Sequence, residues 1–374
     1  MTTTDRLAQL SELGVSIWLD DFDRARLTSE GKDGLRYLID HRHVVGVTTN
    51  PAIFAAALSG RSYDSALAEL AQRRVAPAAA LTELTTSDVR DACDVFAPVA
   101  GRTDGVDGRV SIEVDPTLAR DTDATLAQVE ELWHTIDRPN LHIKIPATVE
   151  GLPAIRTSIG RGRSINVTLI FSLDRYRAVA LAYIDGLEDA LAEGRDLSQI
   201  HSVASFFVSR IDSAIDPLLD EIGTPEAAAL RGKIALANAR LAYAAYEEIF
   251  SGERWEALAA QGARPQRLLW ASTSTKDPSF RPTLYVEELV TSGVVNTLPA
   301  QTLEDAAREA TFNGDTVRDR SEESQQLLDE LERVGVSYED VMAQLEDEGI
   351  DKFVQAWQEL TDSVASQLSG VSGP

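Results

Sequence analysis

Lys144 lies inside "NLHIKIPAT" (140–148), between two isoleucines in a run that reads as a buried β-strand. Side chains alternate along a strand, so Leu141, Ile143 and Ile145 share one face, and His142, Lys144 and Pro146 the other. The split recurs elsewhere. In "SIWLD" Ile17 and Leu19 oppose Trp18 and Asp20, and in "SIEVD" Ile112 and Val114 oppose Ser111, Glu113 and Asp115. In "INVTLIFS" Val167, Leu169 and Phe171 oppose Asn166, Thr168 and Ser172, while "VGVTTN" sets Val45 and Val47 against Gly46, Thr48 and Asn50. If the apolar faces pack against helices, then Asp20, Asn50, Glu113, Lys144, Asn166 and Thr168 point into one shared interior. Buried ionisable groups are costly unless they serve one another or a ligand. A lysine in a low-dielectric site offers a neutral amine that can attack a carbonyl and form a Schiff base, and neighbouring carboxylates can move the protons.

Metal chemistry has little support. The five histidines are scattered, His41 and His43 lack ligand spacing, and neither an HExxH motif nor a cysteine pair is present. His142 shares the lysine's face but reads as a packed or hydrogen-bonding residue. The single cysteine, Cys93, excludes an intramolecular disulfide and reads as a small buried residue on a helix.

The elements that must position these residues are short apolar or alternating runs at 15–22, 44–50, 109–115, 141–147, 164–172, 202–209, 267–273 and 294–299. Helical spacing fills the gaps, as in "TLAQVEELWHTI" and "DRYRAVALAYIDGLEDALAEG". Eight strand-then-helix units predict a closed (β/α)8 TIM barrel, an α/β fold whose active sites lie at the C-terminal strand ends. An open doubly wound sheet would carry a glycine-rich turn after its first strand. "DDFDRARLTSEG" has none, and "GRGRS" (160–164) precedes a strand instead of opening a helix. Residues 75–108 read as extra helix between strands two and three, packed outside the barrel. Residues 313–374 read as a C-terminal helical extension of the same domain, which thus spans 1–374. That extension could cover a barrel mouth, mediate association or complete the fold, and "SGVSGP" reads as a short frayed end.

With 60 acidic against 35 basic residues, the formal net charge of -25 repels phosphate backbones and anionic lipid, so neither nucleic acid nor membrane is an expected partner. An anionic small molecule would need a local basic pocket. The N-terminal residues lack a signal peptide's pattern, and no apolar run approaches the roughly 20 residues of a membrane span. With the cysteine usage, this places the protein in the cytoplasm.

The motifs "SIWLDDFDR", "TTNP", "SIEVD", "IKIPAT", "NVTLIFS", "ASFFVSRID" and "WASTSTKDP" occur in this order on successive strands, and together the chain resembles the transaldolase family. The resemblance implies a (β/α)8 barrel and Lys144 as the Schiff-base nucleophile. It also implies Glu113 and Thr168 as holders of a proton-relaying water, and Asp20 as the acid/base at the breaking carbon–carbon bond. Asn50 and Asn166 would bind sugar hydroxyls or the three-carbon intermediate. Ser205, Arg210, Ser272 and Lys276 would form the phosphate site, with Lys276 standing where many family members have arginine. Asp21 and Asp23 are expected in loop or capping roles, and Arg163 in a solvated loop. The implied partners are sugar phosphates, with no cofactor, and the chain is expected as monomer or homodimer. Alternatives are a fructose 6-phosphate aldolase-like enzyme, which Glu113, Phe207 and the chain length disfavour, and a non-catalytic sugar-phosphate-binding barrel.

Overall fold

In the computed structural model, which describes residues 5–58 and 60–371, eight parallel strands follow one another around a closed barrel. They are β1 (Ser16–Leu19), β2 (Val44–Thr48), β3 (Arg109–Glu113), β4 (Leu141–Pro146), β5 (Ile165–Ile170), β6 (Ser202–Phe207), β7 (Arg267–Ala271) and β8 (Val295–Leu298), with β8 pairing back onto β1. Each lies within a run expected from the sequence. β3 to β6 are buried along their whole length despite their polar–apolar alternation. The apolar face meets the helices and the polar face fills the barrel, so both are shut off from water. The register sets Glu113 beside Lys144, Lys144 beside Asn166, and Pro146 beside Thr168. Three neighbouring strands thus carry the polar interior at one level.

Gly46 shows how tightly that interior is filled: a Cβ there would sit 2.5 Å from the Trp18 indole. Trp18 in turn lies 6.1 Å from the His142 ring. Burial holds His142 well below its ordinary pKa, so it is a neutral filling group.

The alternation expected along β5 breaks after Thr168. Leu169 adopts φ 59°, in the left-handed region, and the register with β6 shifts between Val167 and Ile170. The extra residue turns the chain locally, and Leu169 and Phe171 meet the long terminal helix Tyr338–Val371. That helix packs on the helices Pro51–Leu58, Asp64–Gln72, Pro77–Arg102 and Ser209–Ile222 as well as on β5. Its buried Val341, Leu345, Phe353, Leu360, Val364 and Leu368 recur at steps of four, seven or eight residues, one stripe of a helix. Ion pairs Arg175–Glu346 (3.2 Å) and Arg120–Asp347 (2.5 Å) tie its outer side down, and the Tyr338 hydroxyl donates to Asn238, whose amide donates to the Phe171 carbonyl. Of the expected frayed end, Ser369 to Val371 continue the helix and 372–374 lie outside the described residues.

Gly349 sits mid-helix, where glycine costs about 1 kcal/mol relative to alanine. Close approach accounts for it: a Cβ there would lie 3.1 Å from Leu169 Cδ2 and 3.4 Å from the Phe171 ring. Gly349→Val is therefore expected to lower stability by about 1–3 kcal/mol through overpacking. Gly349→Ala should be nearly neutral, the tight contact offsetting the gain in propensity. Urea unfolding of the three proteins checks this, and equal midpoints for the parent and the Val variant would refute it.

The inserted segment forms the 26-residue helix Pro77–Arg102, packed on β3 and the helix Thr122–Ile136. Cys93 is fully buried on it, and burial pushes its thiol pKa up. Among the described residues, no helix is long and apolar enough to cross a membrane.

Candidate active site

Lys144 projects from β4, and its Nζ lies 3.3 Å from Glu113 Oε2 and 3.4 Å from the Thr49 carbonyl oxygen. Both side chains of the pair are almost wholly buried, at 6% and 3% exposure. Burial raises the Glu113 carboxyl above its ordinary range, against the pull of Lys144 and Arg210. Glu113 Oε1 and Thr168 Oγ1 are also buried and have no hydrogen-bond partner among the described residues.

Beside this pair, a cavity of about 150 Å³ opens at the C-terminal strand ends. Asp20, Asn50, Lys144, Thr168, Ser205, Arg210, Ser272 and Lys276 line it. Of the ten residues singled out in the sequence, eight therefore share one cavity, contributed by six different strands or the loops that follow them. The other two stand just behind it. Glu113 reaches it through Lys144. Asn166 donates to Ser111 Oγ at 3.1 Å and accepts from Ser205 Oγ at 2.7 Å, so its amide fixes Ser205 from below.

The acidic run "DDFD" separates cleanly. Asp20 directly follows β1 and lines the cavity. Asp21 pairs with Arg26 at 3.0 Å, and Asp23 caps the helix Arg24–Thr28 by accepting from the Arg26 N–H. Burial pushes the Asp20 carboxyl up to about 7; the adjacent Asp21 charge adds to this, and Lys144 and Lys276 oppose it. Asn50 uses its side-chain oxygen to cap the helix Pro51–Leu58 at the Ile53 N–H (3.0 Å), which leaves its NH2 as a donor.

Arg210 follows β6, at the start of the helix Ser209–Ile222. Its guanidinium lies 5.0 Å from the Phe207 ring centre and 5.9 Å from that of Phe353. Nη1 is buried without a hydrogen-bond partner among the described residues, and burial lowers the group's pKa. A guanidinium flanked by aromatic faces and without an ion-paired carboxylate among the described residues suits an incoming anion. Ser272 sits at φ 56° and shares a 2.9 Å hydrogen bond with Ser209, which precedes Arg210. Lys276 is tethered to Ser274 Oγ at 2.7 Å. Lys144, Arg210 and Lys276 thus place three basic side chains around a cavity that Asp20 also lines, a local basic pocket on a strongly acidic protein. Arg163 is elsewhere, paired with Glu130 at 2.8 Å and stacked near Trp133.

A buried lysine on the fourth strand, paired with an acid on the third and facing an acid on the first, can now be set beside known proteins. The sequence model described as Transaldolase/Fructose-6-phosphate aldolase matches residues 17–364. The chain belongs to the transaldolase/fructose-6-phosphate aldolase family. It is 60% identical to the Transaldolase of Thermobifida fusca (strain YX) over 364 residues, covering 97% of this chain and 98% of that one. Identity to the Transaldolase of Arthrobacter sp. (strain FB24) is 56% over 370 residues, or 99% and 98% of the two chains. For the Transaldolase of Mycolicibacterium smegmatis it is 55% over 369 residues, or 98% and 99%.

Within this family member, the lining residues that sequence reasoning did not assign to the site include Phe353, Thr48, Ser274 and Thr297. Thr48 was visible on the polar face of "VGVTTN", and Ser274 stands inside "WASTSTKDP". Phe353 carried no such signal, because its helical spacing matches that of its core neighbours.

Proposed function

We propose that this protein is a transaldolase, moving a dihydroxyacetone unit from sedoheptulose 7-phosphate to glyceraldehyde 3-phosphate to give erythrose 4-phosphate and fructose 6-phosphate. The observation that carries this reading is the buried Lys144–Glu113 pair opening on a cavity shared with Asp20 and Arg210. Lys144 attacks the ketose carbonyl, and loss of water gives an iminium. A water held between Glu113 and Thr168, whose unpaired oxygens supply its partners, carries the protons of that step. Asp20 takes the proton of the C4 hydroxyl as the C3–C4 bond breaks. The aldose phosphate leaves, and the remaining electron pair is delocalised onto the imine nitrogen. The resulting enamine attacks the acceptor aldehyde, Asp20 returns the proton to the new alkoxide, and water hydrolyses the iminium. This chemistry needs no metal or organic cofactor.

Asn50 and Asn166 serve the hydroxyls, Asn50 directly and Asn166 through Ser205. Arg210 takes the phosphate with Ser272 and Lys276. Arg210→Met is expected to raise KM for phosphorylated substrates by about 10–100-fold, the worth of a charge-assisted contact. Lys276→Met should have the smaller effect, since Lys276 is more exposed. Steady-state kinetics of both variants check the order, and an unchanged KM for Arg210→Met would remove it from the phosphate site.

The deciding experiment is incubation with fructose 6-phosphate, borohydride reduction and mass mapping of the adduct. An adduct on Lys144 is expected; one on another lysine, or none, overturns the mechanism. The aldolase-like alternative predicts free dihydroxyacetone without any aldose phosphate acceptor, whereas transfer requires the acceptor. The full-length similarity to proteins named Transaldolase supports transfer. We further propose that residues 1–374 act as one domain, in the cytoplasm, as monomer or homodimer. Light scattering and cell fractionation test these points.

A further inference from the structure

The terminal helix brings one aromatic ring into the site from outside the barrel. Phe353 is 7% exposed, lines the cavity, and lies 5.6 Å from Lys144 Nζ as well as 5.9 Å from the Arg210 guanidinium. A single ring therefore borders both the reacting nitrogen and the cation placed for the phosphate. Its position is set by contacts that have no other evident task in the site: Gly349, one helical turn earlier, lets the helix approach the bulged Leu169, and the Glu346 and Asp347 ion pairs hold the outer side.

We propose that Phe353 is a positioning residue that holds the Lys144 iminium and Arg210 in register and keeps water from the retained three-carbon unit, so that the unit is transferred and not released. The proposal rests on the Lys144 imine reading above. Two physical effects follow from the ring. Its negative face favours a fixed positive charge on the nitrogen it borders, about 30-fold in an equilibrium constant when such a contact is desolvated. Its bulk also closes the cavity towards the helix. Release of the three-carbon unit needs solvent at two points: the enamine carbon takes up a proton, then water adds to the iminium carbon and the C–N bond to Lys144 breaks, giving dihydroxyacetone and free amine. Transfer needs neither until the acceptor has been joined. Excluding water therefore favours transfer without altering the bond-breaking step.

The test uses the full-length protein with Phe353→Ala, Phe353→Leu and Phe353→Tyr, fructose 6-phosphate as donor and erythrose 4-phosphate as acceptor. Three quantities are read: dihydroxyacetone released per transfer, the fraction of chains trapped by borohydride on Lys144, and the melting temperature. Phe353→Ala is expected to raise release per transfer, through lost bulk, and to shift the equilibrium against the trapped iminium by about 30-fold, through the lost ring. Phe353→Leu, which keeps apolar bulk but has no ring, should stay near the parent in release while losing trapped iminium. Phe353→Tyr should restore both. If the alanine variant is too unstable to assay, the leucine and tyrosine pair decides the matter through the trapped fraction. Parent-like release and trapping in all the variants overturn this proposal alone. A parent that traps nothing on Lys144 overturns the imine reading and this proposal with it.

Discussion

Lys144→Met is expected to abolish transfer, lowering kcat on the order of 10⁴-fold or more, because the nucleophile itself is gone and the rest of the site has no covalent route to the product. No borohydride-stable adduct should form with fructose 6-phosphate. Lys144→Arg should be equally inactive for a different reason. Its guanidinium preserves the charge beside Glu113 but stays protonated and cannot attack a carbonyl. The two variants separate in stability. Removing one partner of a buried ion pair leaves the other uncompensated, at about 3–5 kcal/mol if it stays charged. Glu113, however, already has a carboxyl raised by burial, so it can take up a proton when Lys144 is replaced by methionine. The methionine variant should therefore gain stability on acidification relative to the arginine variant. Calorimetry between pH 5 and 8 and a turnover assay test the two halves; appreciable transfer by either variant would refute the role of Lys144.

The barrel was legible because two periodicities coincide in the sequence. Apolar residues at every second position mark the outward strand faces, and the residues left between them are the ones that share the interior. The sequence alone thus brings Lys144, Glu113 and Asp20 together, since a closed barrel sends every inward face to the same space. The break at Leu169 was not legible. A non-glycine residue with positive φ carries no turn signal, and the register shift becomes visible only against β6. The separate uses of Asp20, Asp21 and Asp23 were expected from strand position and the family resemblance, but the Arg26 partner of Asp21 showed only in the fold. Asn166 was placed on the correct face, yet its amide is engaged by Ser111 and Ser205, a matter of cross-strand geometry. Phe353 was the most remote. The three roles considered for residues 313–374 looked alike in sequence, because a helix crossing a barrel mouth needs the same apolar stripe as one that completes a core. Close approach at Gly349 and the ring beside Lys144 favour the mouth.

Asp20→Asn is expected to lower transfer by about 10²–10⁴-fold, the usual worth of a positioned general acid/base, while leaving imine formation intact. The separation arises because the proposed work of Asp20, which lines the cavity, begins only when the carbon–carbon bond breaks. Borohydride should then trap different species. In the parent the adduct on Lys144 has lost the aldose phosphate and carries three carbons, whereas in the asparagine variant it retains all six carbons and the phosphate. Equal adduct masses would place the acid/base elsewhere. The pH profile follows from the same residue. With its carboxyl at about 7, Asp20 is protonated below that value and cannot accept the C4 proton, so kcat/KM for the donor should rise through about pH 7 and level off above it. A value near neutrality also lets Asp20 keep the proton between the two half-reactions and return it to the new alkoxide. The asparagine variant should lose this limb. Stability moves in the opposite sense. A carboxyl raised from 3.8 to about 7 binds more protons in the folded than in the unfolded chain between those values. Its contribution is fully present below the lower value and is lost as pH rises through the upper one. Asparagine carries no charge to bury, so the variant should exceed the parent in stability at pH 8 by about 1–2 kcal/mol, discounted because Asp20 faces an open cavity. The difference should vanish near pH 4, and a parent as stable as the variant at pH 8 would mean that the ionised carboxylate costs the fold nothing.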